Sequence, residues 1–484
     1  MYFNSYEFVF LFLPIAISGY FLLGSTKNSR TANIWLLVAG LLFYGYWEIK
    51  YLPVLIGSII VNFLLADRII AAVNKNNDYR RKFFFGAGLL FNIGLLGWFK
   101  YTDFVLETIN YVCGTEIPLP HIDLPLGISF FTITQLICLY DCQAGIVKKN
   151  GFGDYSLFVS FFPHLLAGPI LYHRSMIKQF RDENLRRINW ANMSEGLTLF
   201  IIGLIKKVVI ADSFITFVNH GFVTADHLTF IHAWFVSICY FMQLYFDFSG
   251  YSDMAIGMAK MMNITIPINF NSPAKAKSLI EFWQRWHISL TNAITGCLYQ
   301  PLLRSFAEPK FRHVIFSSFV TFFIIGIWHG AGWTYVAFAL LHAFGIVVNH
   351  CWRRYRLWMP RILSHIVTLA YIAITLAFFR AANMTEGINM FKSMLGLHGV
   401  LVSERTATFA ADFFHMALPM GHIFIDFPYE IFALSVILLF FVPASTKLVK
   451  KLKPSPLLAF ALVVAFLYTV SRLGETTDFL YFQF

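Results

Sequence analysis

The sequence predicts an all-α membrane protein that crosses the bilayer about 11–12 times, and two observations lead to this prediction. Hydrophobic residues make up 58% of the 484 residues and charged residues only 13%, whereas a water-soluble protein carries about 25% charged residues. Apolar segments close to the roughly 20 residues that a spanning helix needs recur along the whole chain. The candidate spans lie near residues 6–24, 33–47, 51–66, 83–101, 127–144, 197–218, 229–247, 314–331, 334–350, 361–380, 428–446 and 455–473.

Loop charges predict the orientation of these spans, because cytoplasmic loops are enriched in Lys and Arg. The N-terminus lacks the basic region and cleavage site of a removable signal peptide, so the first apolar run is expected to remain in the membrane. The even number of candidate spans, together with the placement of the basic loops in the cytoplasm, then predicts that both termini are extracytoplasmic. We interpret the formal net charge of +11 as a consequence of topology and predict no nucleic-acid partner. The basic loops are 25–32, 67–82, 173–190, 351–361 and 447–453, and the acidic ones are 102–126 and 381–427.

Two regions depart from simple spanning helices. The apolar patch at 155–172 contains Pro163, Gly168 and Pro169 and is predicted to be re-entrant, since irregular backbone at membrane depth must be surrounded by protein or a water-filled cavity. The stretch 252–312 mixes apolar pieces with many charges. It is predicted to form short amphipathic and re-entrant helices on the cytoplasmic side, lining a cavity for a phosphate-bearing ligand.

The chain carries no sign of a second domain or of a metal site. We find no internal repeat, low-complexity tract or long linker, and therefore predict a single transmembrane domain over residues 1–484. The six cysteines are scattered and form no C-x-x-C pair, a pattern that supports neither a disulfide framework nor a zinc site. The only partner that composition indicates is membrane lipid.

His329 is a candidate catalytic residue because it lies deep in an apolar segment, with Trp328 before it and Gly330 after it. A titratable group at such a position is costly and suggests a functional site. Neutral imidazole can accept a hydroxyl proton at neutral pH. The alternative is a histidine that only forms a hydrogen bond between helices.

His287 is a second candidate, in a segment with Trp283, Arg285 and Trp286. Because tryptophan is enriched at membrane interfaces, these residues alone favour an interfacial anchor. Asp247 and Asp253 lie at the end of a predicted span among hydroxyl side chains. They could orient a ligand or a histidine, although a structural role between helices is the simpler interpretation. Lys206–Lys207 is interpreted as a pair that reaches out to the cytoplasmic membrane surface.

Five segments together resemble a known family, the membrane-bound O-acyltransferases (MBOAT). Within it they are similar to the bacterial branch of the alginate and peptidoglycan O-acetylation membrane subunits and the teichoic-acid D-alanylation membrane protein. The resemblance runs over nearly the whole chain, and the Trp-His-Ile-Ser and Trp-His-Gly combination is specific. The segments are FPHLLAGP at 162–169, YFDFSGYSD at 245–253, FWQRWHISL at 282–290, IWHG at 327–330 and FFRA at 378–381.

The resemblance implies a helical fold with a central funnel and an essential histidine at His329, with His287 on its cytoplasmic side. It also implies a bacterial cytoplasmic (inner) membrane, a cytoplasmic acyl donor and an acceptor outside the membrane. The acyl group would usually pass through a separate extracytoplasmic hydrolase-like partner. One departure leaves the subfamily open: residues 291–299 read TNAITGCLY, where alginate-type proteins continue differently.

These observations predict an O-acetyltransferase that uses acetyl-CoA as donor, holds no bound cofactor or metal, and O-acetylates an extracytoplasmic polysaccharide. His329 is expected to act as general base. Ser289, Asn292 or backbone amides could stabilise the tetrahedral oxygen. The aromatic C-terminus resembles the tail of this branch, so Tyr481 could carry the acyl group transiently or act only as an interfacial anchor. The candidate substrate-binding residues are Asn292, Ser289, Asp247, Asp253, Trp328, Arg285 and Tyr481.

Two alternatives remain at this stage. One is D-alanyl transfer from a carrier protein to teichoic acid, which would use the same family fold. The other is a non-enzymatic transporter or flippase, for which internal repeats and paired charges at mid-membrane depth are expected. Neither feature is evident in the sequence.

Overall fold

The computed structural model of the chain describes residues 1–25, 30–149, 151–400, 408, 427–475 and 479–480. Regular secondary structure in these residues is helical. In chain order the α-helices are α1 Leu13–Gly24, α2 Arg30–Glu48, α3 Leu52–Asn74, α4 Asp78–Leu96, α5 Thr102–Cys113, α6 Ile128–Gln143, α7 Phe152–Ser160, α8 Phe162–Leu165, α9 His173–Phe180, α10 Trp190–Ile205, α11 Ile215–Val223, α12 Phe230–Met261, α13 Leu279–Trp283, α14 Ile288–Ile294, α15 Gln300–Arg304, α16 Phe311–His329, α17 Trp333–Arg354, α18 Arg361–Arg380, α19 Met384–Met394, α20 Tyr429–Phe440, α21 Ser445–Val449 and α22 Pro456–Ser471.

Five of the described helical segments are long and apolar enough to cross a membrane. They contain six of the twelve predicted spans, because the 45-residue segment Arg30–Asn74 holds both α2 and α3 around the 3-10 turn Ile49–Tyr51. Three further predicted spans correspond to the shorter apolar helices Phe8–Gly24, Tyr429–Phe440 and Pro456–Ser471. The chain is therefore a multi-pass helical membrane protein. The other four segments are Asp78–Cys113, Phe311–His329, Trp333–Arg354 and Arg361–Arg380.

The remaining predicted spans belong to helices inside the bundle. Helix α6 is buried along most of its length. Helix α12 is also mostly buried and runs to Met261. The prediction of short helices over 252–312 is therefore wrong for residues 252–261, which continue α12. Beyond Met261 the short helices α13, α14 and α15 agree with that prediction. The span predicted at 197–218 is a broken helix, because the π-helical turn Lys206–Ala211 follows α10.

Glycines bring α10 and α12 into contact at the centre of the bundle. A Cβ on Gly196 would lie 2.6 Å from the carbonyl oxygen of Gly257, and a Cβ on Gly203 would lie 2.5 Å from that of Gly250. Small residues are what allow the backbones of membrane helices to approach so closely. The side chains that follow Gly203 along the chain, Lys206 and Lys207, are thereby held against α12.

The patch at 155–172 is interrupted as predicted. Helices α7 and α8 are separated at Phe161 (φ −59°, ψ 104°), and the segment from Tyr155 to Leu171 is buried throughout. Its irregular backbone is thus surrounded by protein, which satisfies the requirement for non-helical chain at membrane depth.

Candidate active site

His329 is the last residue of α16, and its side chain is buried. Its Nδ1 lies 2.7 Å from the carbonyl oxygen of Ile325. A carbonyl oxygen only accepts hydrogen bonds, so Nδ1 carries the proton and Nε2 carries the lone pair of the neutral imidazole. The helix ends here because Gly330 is extended (φ −160°, ψ 157°) and packs against Tyr335, where a Cβ would collide.

Two neighbouring residues of the π-helical turn Gly97–Tyr101 bind the C-terminal end of α16. Lys100 Nζ donates to the carbonyl oxygens of Trp328 (2.8 Å) and His329 (2.9 Å), and Tyr101 Oη donates to that of Ile327 (2.8 Å). The last carbonyls of a helix have no partner within the helix and carry its negative dipole end. A lysine and a tyrosine therefore bind the last carbonyl groups of α16, of which that of Ile327 also accepts a backbone hydrogen bond from Gly330 at 3.2 Å.

His329 lines two cavities. One is lined by Lys100, Trp328 and the segment 124–130. It contains the polar side chains of Lys100 and Ser129 among apolar ones, and we call it the polar cavity. It adjoins a further cavity that also contacts Lys100 and Leu124 and reaches Asp103 in the loop predicted to be extracytoplasmic. The other, the aromatic cavity, has walls from α12, α13, α17 and α18, among them Phe248, Trp283 and His342. His329 thus lies between these two cavities.

His287 is buried beside this centre. Its ring lies 4.8 Å from Phe248, which lines the aromatic cavity, and 6.4 Å from Phe130, which lines the polar one. Burial lowers the pKa of His287 well below its ordinary value, and the nearby His329 lowers this pKa further, so the ring is neutral at pH 7. The backbone of His287 is left-handed (φ 45°, ψ 50°), a conformation that costs a non-glycine residue about 1–3 kcal/mol and often marks functional sites.

The interfacial-anchor interpretation of the segment around His287 is wrong. Trp283 and Trp286 are 5% and 6% exposed and His287 is fully buried. Trp286 packs on Phe282 and Phe270, and the indole N–H of Trp283 donates to His342 Nδ1 at 3.3 Å. These aromatic side chains form the interior of the bundle and the wall of a cavity instead of its water interface.

Asp247 and Asp253 form buried ion pairs with the two lysines of the π-helical turn Lys206–Ala211. Lys207 Nζ lies 2.8 Å from an oxygen of Asp247 and 2.8 Å from one of Asp212, and Lys206 Nζ lies 2.7 Å from Asp253. Lys207 is 2% exposed. The prediction that this lysine pair reaches the membrane surface is therefore wrong, because two acidic side chains 40 to 47 residues away draw both ammonium groups inward.

The other candidate substrate-binding residues differ in their positions. Trp328 lines the polar cavity. Ser289 is buried, where its hydroxyl donates to Asn269 Oδ1 and accepts from the N–H of Ile170 at 2.9 Å. Arg285 binds Glu281 at 2.8 Å and the carbonyl of Asn271. Asn292 is exposed and lines neither cavity beside His329.

Residues 479–480 lie near the same site. The N–H of Leu480 donates to Asp247 Oδ2 at 3.1 Å, and the Phe479 ring stacks on Tyr251 with its centroid 4.5 Å away. Phe479 also lies 6.0 Å from Phe248, the ring that packs on His287. Tyr481 lies outside the described residues, so its predicted role stays a prediction.

Sequence reasoning missed Lys100, Tyr101 and His342. Lys100 lies inside a predicted span, and a lysine there was itself a signal of a functional site. His342 lies on α17, where its ring is 4.5 Å from Phe338 and lines the aromatic cavity with His329. Its apolar surroundings in the sequence gave the same signal as those of His329.

The multi-pass helical bundle is that of an integral membrane protein. A buried histidine that lines two cavities is an arrangement that suits an enzyme transferring a group from one substrate to another. The chain belongs to the membrane-bound O-acyltransferase family, whose model matches residues 128–379, from α6 to the end of α18. This match includes both His287 and His329. The chain is accordingly an O-acyltransferase.

Curated relatives agree with this assignment. A peptidoglycan O-acetyltransferase of Helicobacter pylori is 41% identical over 429 residues, covering 82% of this chain and 80% of the relative. A probable alginate O-acetylase of Pseudomonas aeruginosa is 34% identical over 84% of this chain and 76% of the relative. A teichoic acid D-alanyltransferase of Streptococcus thermophilus is 29% identical over 47% of this chain and 57% of the relative.

Proposed function

We propose that this protein is an O-acetyltransferase of a bacterial cytoplasmic membrane. It takes an acetyl group from cytoplasmic acetyl-CoA for the O-acetylation of a cell-envelope polysaccharide outside the membrane. The observation that carries the proposal is the position of His329, whose ring lines both the aromatic and the polar cavity while Nδ1 is bound to Ile325. Its Nε2 can therefore act as a base toward groups that arrive from two sides.

The chemical step follows from this tautomer. His329 Nε2 accepts the proton of an acceptor hydroxyl as the hydroxyl oxygen attacks the thioester carbonyl carbon. The new C–O bond forms, the C–S bond breaks, and the proton passes from the imidazolium to the departing CoA thiolate. No acyl-histidine intermediate is needed. Removal of water by the aromatic walls strengthens each electrostatic contact in the site.

The two cavities suggest different roles. The aromatic cavity lies against α13, in the stretch predicted to face the cytoplasm, and its apolar walls suit the acetyl thioester. The polar cavity includes Lys100 and Ser129 and continues toward Asp103, which suits a hydroxyl-bearing acceptor. An acyl group could thus cross from one compartment to the other at His329 without movement of the whole bundle.

The acceptor and partner are inferred from the relatives. Peptidoglycan and alginate, the polymers in two of their names, are polysaccharides rich in hydroxyl groups. We infer that an extracytoplasmic hydrolase-like partner receives the acetyl group and passes it to such a polymer. Tyr481 remains a candidate carrier for this step. Finding no acetylated C-terminal peptide by mass spectrometry during turnover would count against that role.

The alternatives are less well supported. The teichoic acid D-alanyltransferases match only about half of the chain, at 29% and 26% identity, whereas the O-acetylation relatives match over four fifths of it. A non-enzymatic transporter does not account for membership of an acyltransferase family. Supplying a D-alanyl-charged carrier protein in place of acetyl-CoA distinguishes the first alternative directly.

Acetyl transfer from labelled acetyl-CoA in membrane vesicles tests the proposal. His329→Ala and the more isosteric His329→Gln should lower the rate about 100- to 10,000-fold, the range of a general base. The exposed His227 offers a matched control, and His227→Ala should retain full activity. Equal labelling by His329→Ala and wild type would remove His329 from the mechanism. If the wild type transferred no acetyl group from acetyl-CoA but did transfer D-alanine from a charged carrier protein, the donor would be the carrier protein and the acetyl-CoA proposal would be wrong.

A further inference from the structure

A large, open, basic cavity lies apart from the histidine site, at the N-terminal end of α2. It is walled by α2, the start of α7 and the segment that follows α9. Its described lining contains the cations Arg30, Lys149, Arg181 and Arg186 and a single carboxylate, Asp154, which leaves a net formal charge of +3. None of these side chains lines the cavities beside His329.

Among the described residues, one buried cation of this cavity, Arg186, has its hydrogen-bond donors only partly satisfied. Arg181 donates to Asp154 through Nε at 3.0 Å, which accounts for the one carboxylate. Arg186 is 6% exposed, and its Nη2 donates to the carbonyl of Phe180. Its Nη1 has no hydrogen-bond acceptor among the described residues, and the nearest carboxylate oxygen, of Glu183, is 4.0 Å away. A buried guanidinium nitrogen whose N–H groups lack an acceptor is costly, so the cavity is suited to an anion with several oxygens.

One wall of the cavity is apolar and continues along the membrane. Ile34 and Leu37 line it beside the cations. Ile34 is 57% exposed and is followed at helical spacing on the same face of α2 by the exposed Val38 and Leu42. An apolar stripe on a membrane-spanning segment therefore begins where the positive charge ends.

We propose that this cavity binds the headgroup of an anionic phospholipid, with the acyl chains of the lipid along the stripe formed by Ile34, Val38 and Leu42. Basic pockets at the ends of membrane helices on the side of positive loops suit such headgroups, and loops 25–32 and 173–190 are both basic. A soluble phosphate compound would use the cations equally well but would leave the apolar stripe without a function.

Native mass spectrometry of the full chain, delipidated in a neutral detergent, tests the proposal with phosphatidylglycerol and phosphatidylcholine as probes. The double variant Arg30→Gln/Lys149→Gln removes two exposed charges of the cavity. Arg80→Gln/Lys82→Gln removes two exposed charges from another predicted cytoplasmic loop and serves as the matched control. We expect one tightly held phosphatidylglycerol in the wild type and the control. The cavity variant should bind it about 25-fold more weakly, at about fivefold for each charge.

Three results would overturn the proposal. Phosphatidylcholine could bind as tightly as phosphatidylglycerol, which would make the charge irrelevant. Both double variants could lose phosphatidylglycerol equally, which would indicate a diffuse electrostatic effect of the surface. Finally, inorganic phosphate or CoA could displace phosphatidylglycerol from the wild type, which would assign the cavity to a soluble phosphate compound instead of a lipid.

Discussion

Lys207 carries a charged side chain that is buried in the interior of this apolar bundle. Its ammonium group is shared between Asp212 and Asp247, each at 2.8 Å, and Asp247 in turn accepts the N–H of Leu480 at 3.1 Å. Two carboxylates facing one lysine leave excess negative charge, which the backbone N–H partly offsets. The same cluster therefore joins the π-helical turn Lys206–Ala211, α12 and the backbone of Leu480.

We expect Lys207→Met to destabilise the protein by about 3–5 kcal/mol, because removing one partner of a buried ion pair leaves uncompensated charge. Lys207→Met combined with Asp247→Asn should recover part of this loss, since the amide remains able to accept the N–H of Leu480. Thermal unfolding in detergent measures both, with the exposed Lys82→Met as control. A Lys207→Met variant as stable as that control would mean that the lysine charge does not contribute to stability.

Single residues also show which part of the site could be predicted from sequence. His329 was identifiable because a histidine in an apolar span is unusual by itself. The inward direction of Lys206 and Lys207 was not identifiable, because it depends on Asp253 and Asp247, which a separate helix supplies. The burial of His287 likewise depends on Phe248 of α12. Pairing between distant elements has no local signal in the sequence.

Among the helices, the π-helical turn Gly97–Tyr101 has the most direct effect on the site. It turns Lys100 and Tyr101 toward three successive carbonyl oxygens, those of Ile327, Trp328 and His329, at the C-terminus of α16. These hydrogen bonds hold the C-terminal end of α16 in place and hence the imidazole of its last residue. Lys100 is accordingly a positioning residue in the proposed mechanism.

Lys100→Met should lower kcat about 100-fold while KM for acetyl-CoA changes little, because an ångström of misplacement of a catalytic group costs on that order. Lys100→Arg should restore part of the rate, since guanidinium also donates to carbonyl oxygens. Steady-state acetyl transfer, again with Lys82→Met as control, separates the two parameters. An unchanged kcat in Lys100→Met, or an effect on KM alone, would contradict the positioning role.

At the level of elements, hydropathy predicted the six spans within the five long apolar segments and the interruption at 155–172. It did not predict that α12 continues to Met261, because the polar residues of 247–253 resemble a helix end until Lys206 and Lys207 are known to pair with them. The π-helical turns were also missed. A π-helical turn is closed by a hydrogen bond that spans one residue more than in an α-helix, and a single such turn is too short to change the periodicity of the sequence.

At the scale of the whole molecule, two aromatic side chains from opposite ends of the described sequence contact one ring. Phe3 stacks on Tyr251 with centroids 4.5 Å apart, and Phe479 stacks on Tyr251 at the same separation. Residues 3 and 479 therefore lie at the same level of the bundle. Loop charges predict that this level faces the outside, and the direction of acyl transfer in the proposed mechanism depends on that orientation.

Labelling of single cysteines with a membrane-impermeant thiol reagent in intact cells measures this orientation. In a background without the other native cysteines, Ser5→Cys and Gln483→Cys should both react from outside, together with the native, exposed Cys113 in the acidic loop 102–126. Lys450→Cys, in a basic loop, should react only after permeabilisation. If the three outer positions reacted only after permeabilisation and Lys450→Cys reacted without it, the fold would stand but the acetyl group would have to travel inward. Reaction of Ser5→Cys and Gln483→Cys from opposite sides would contradict the predicted even number of membrane crossings.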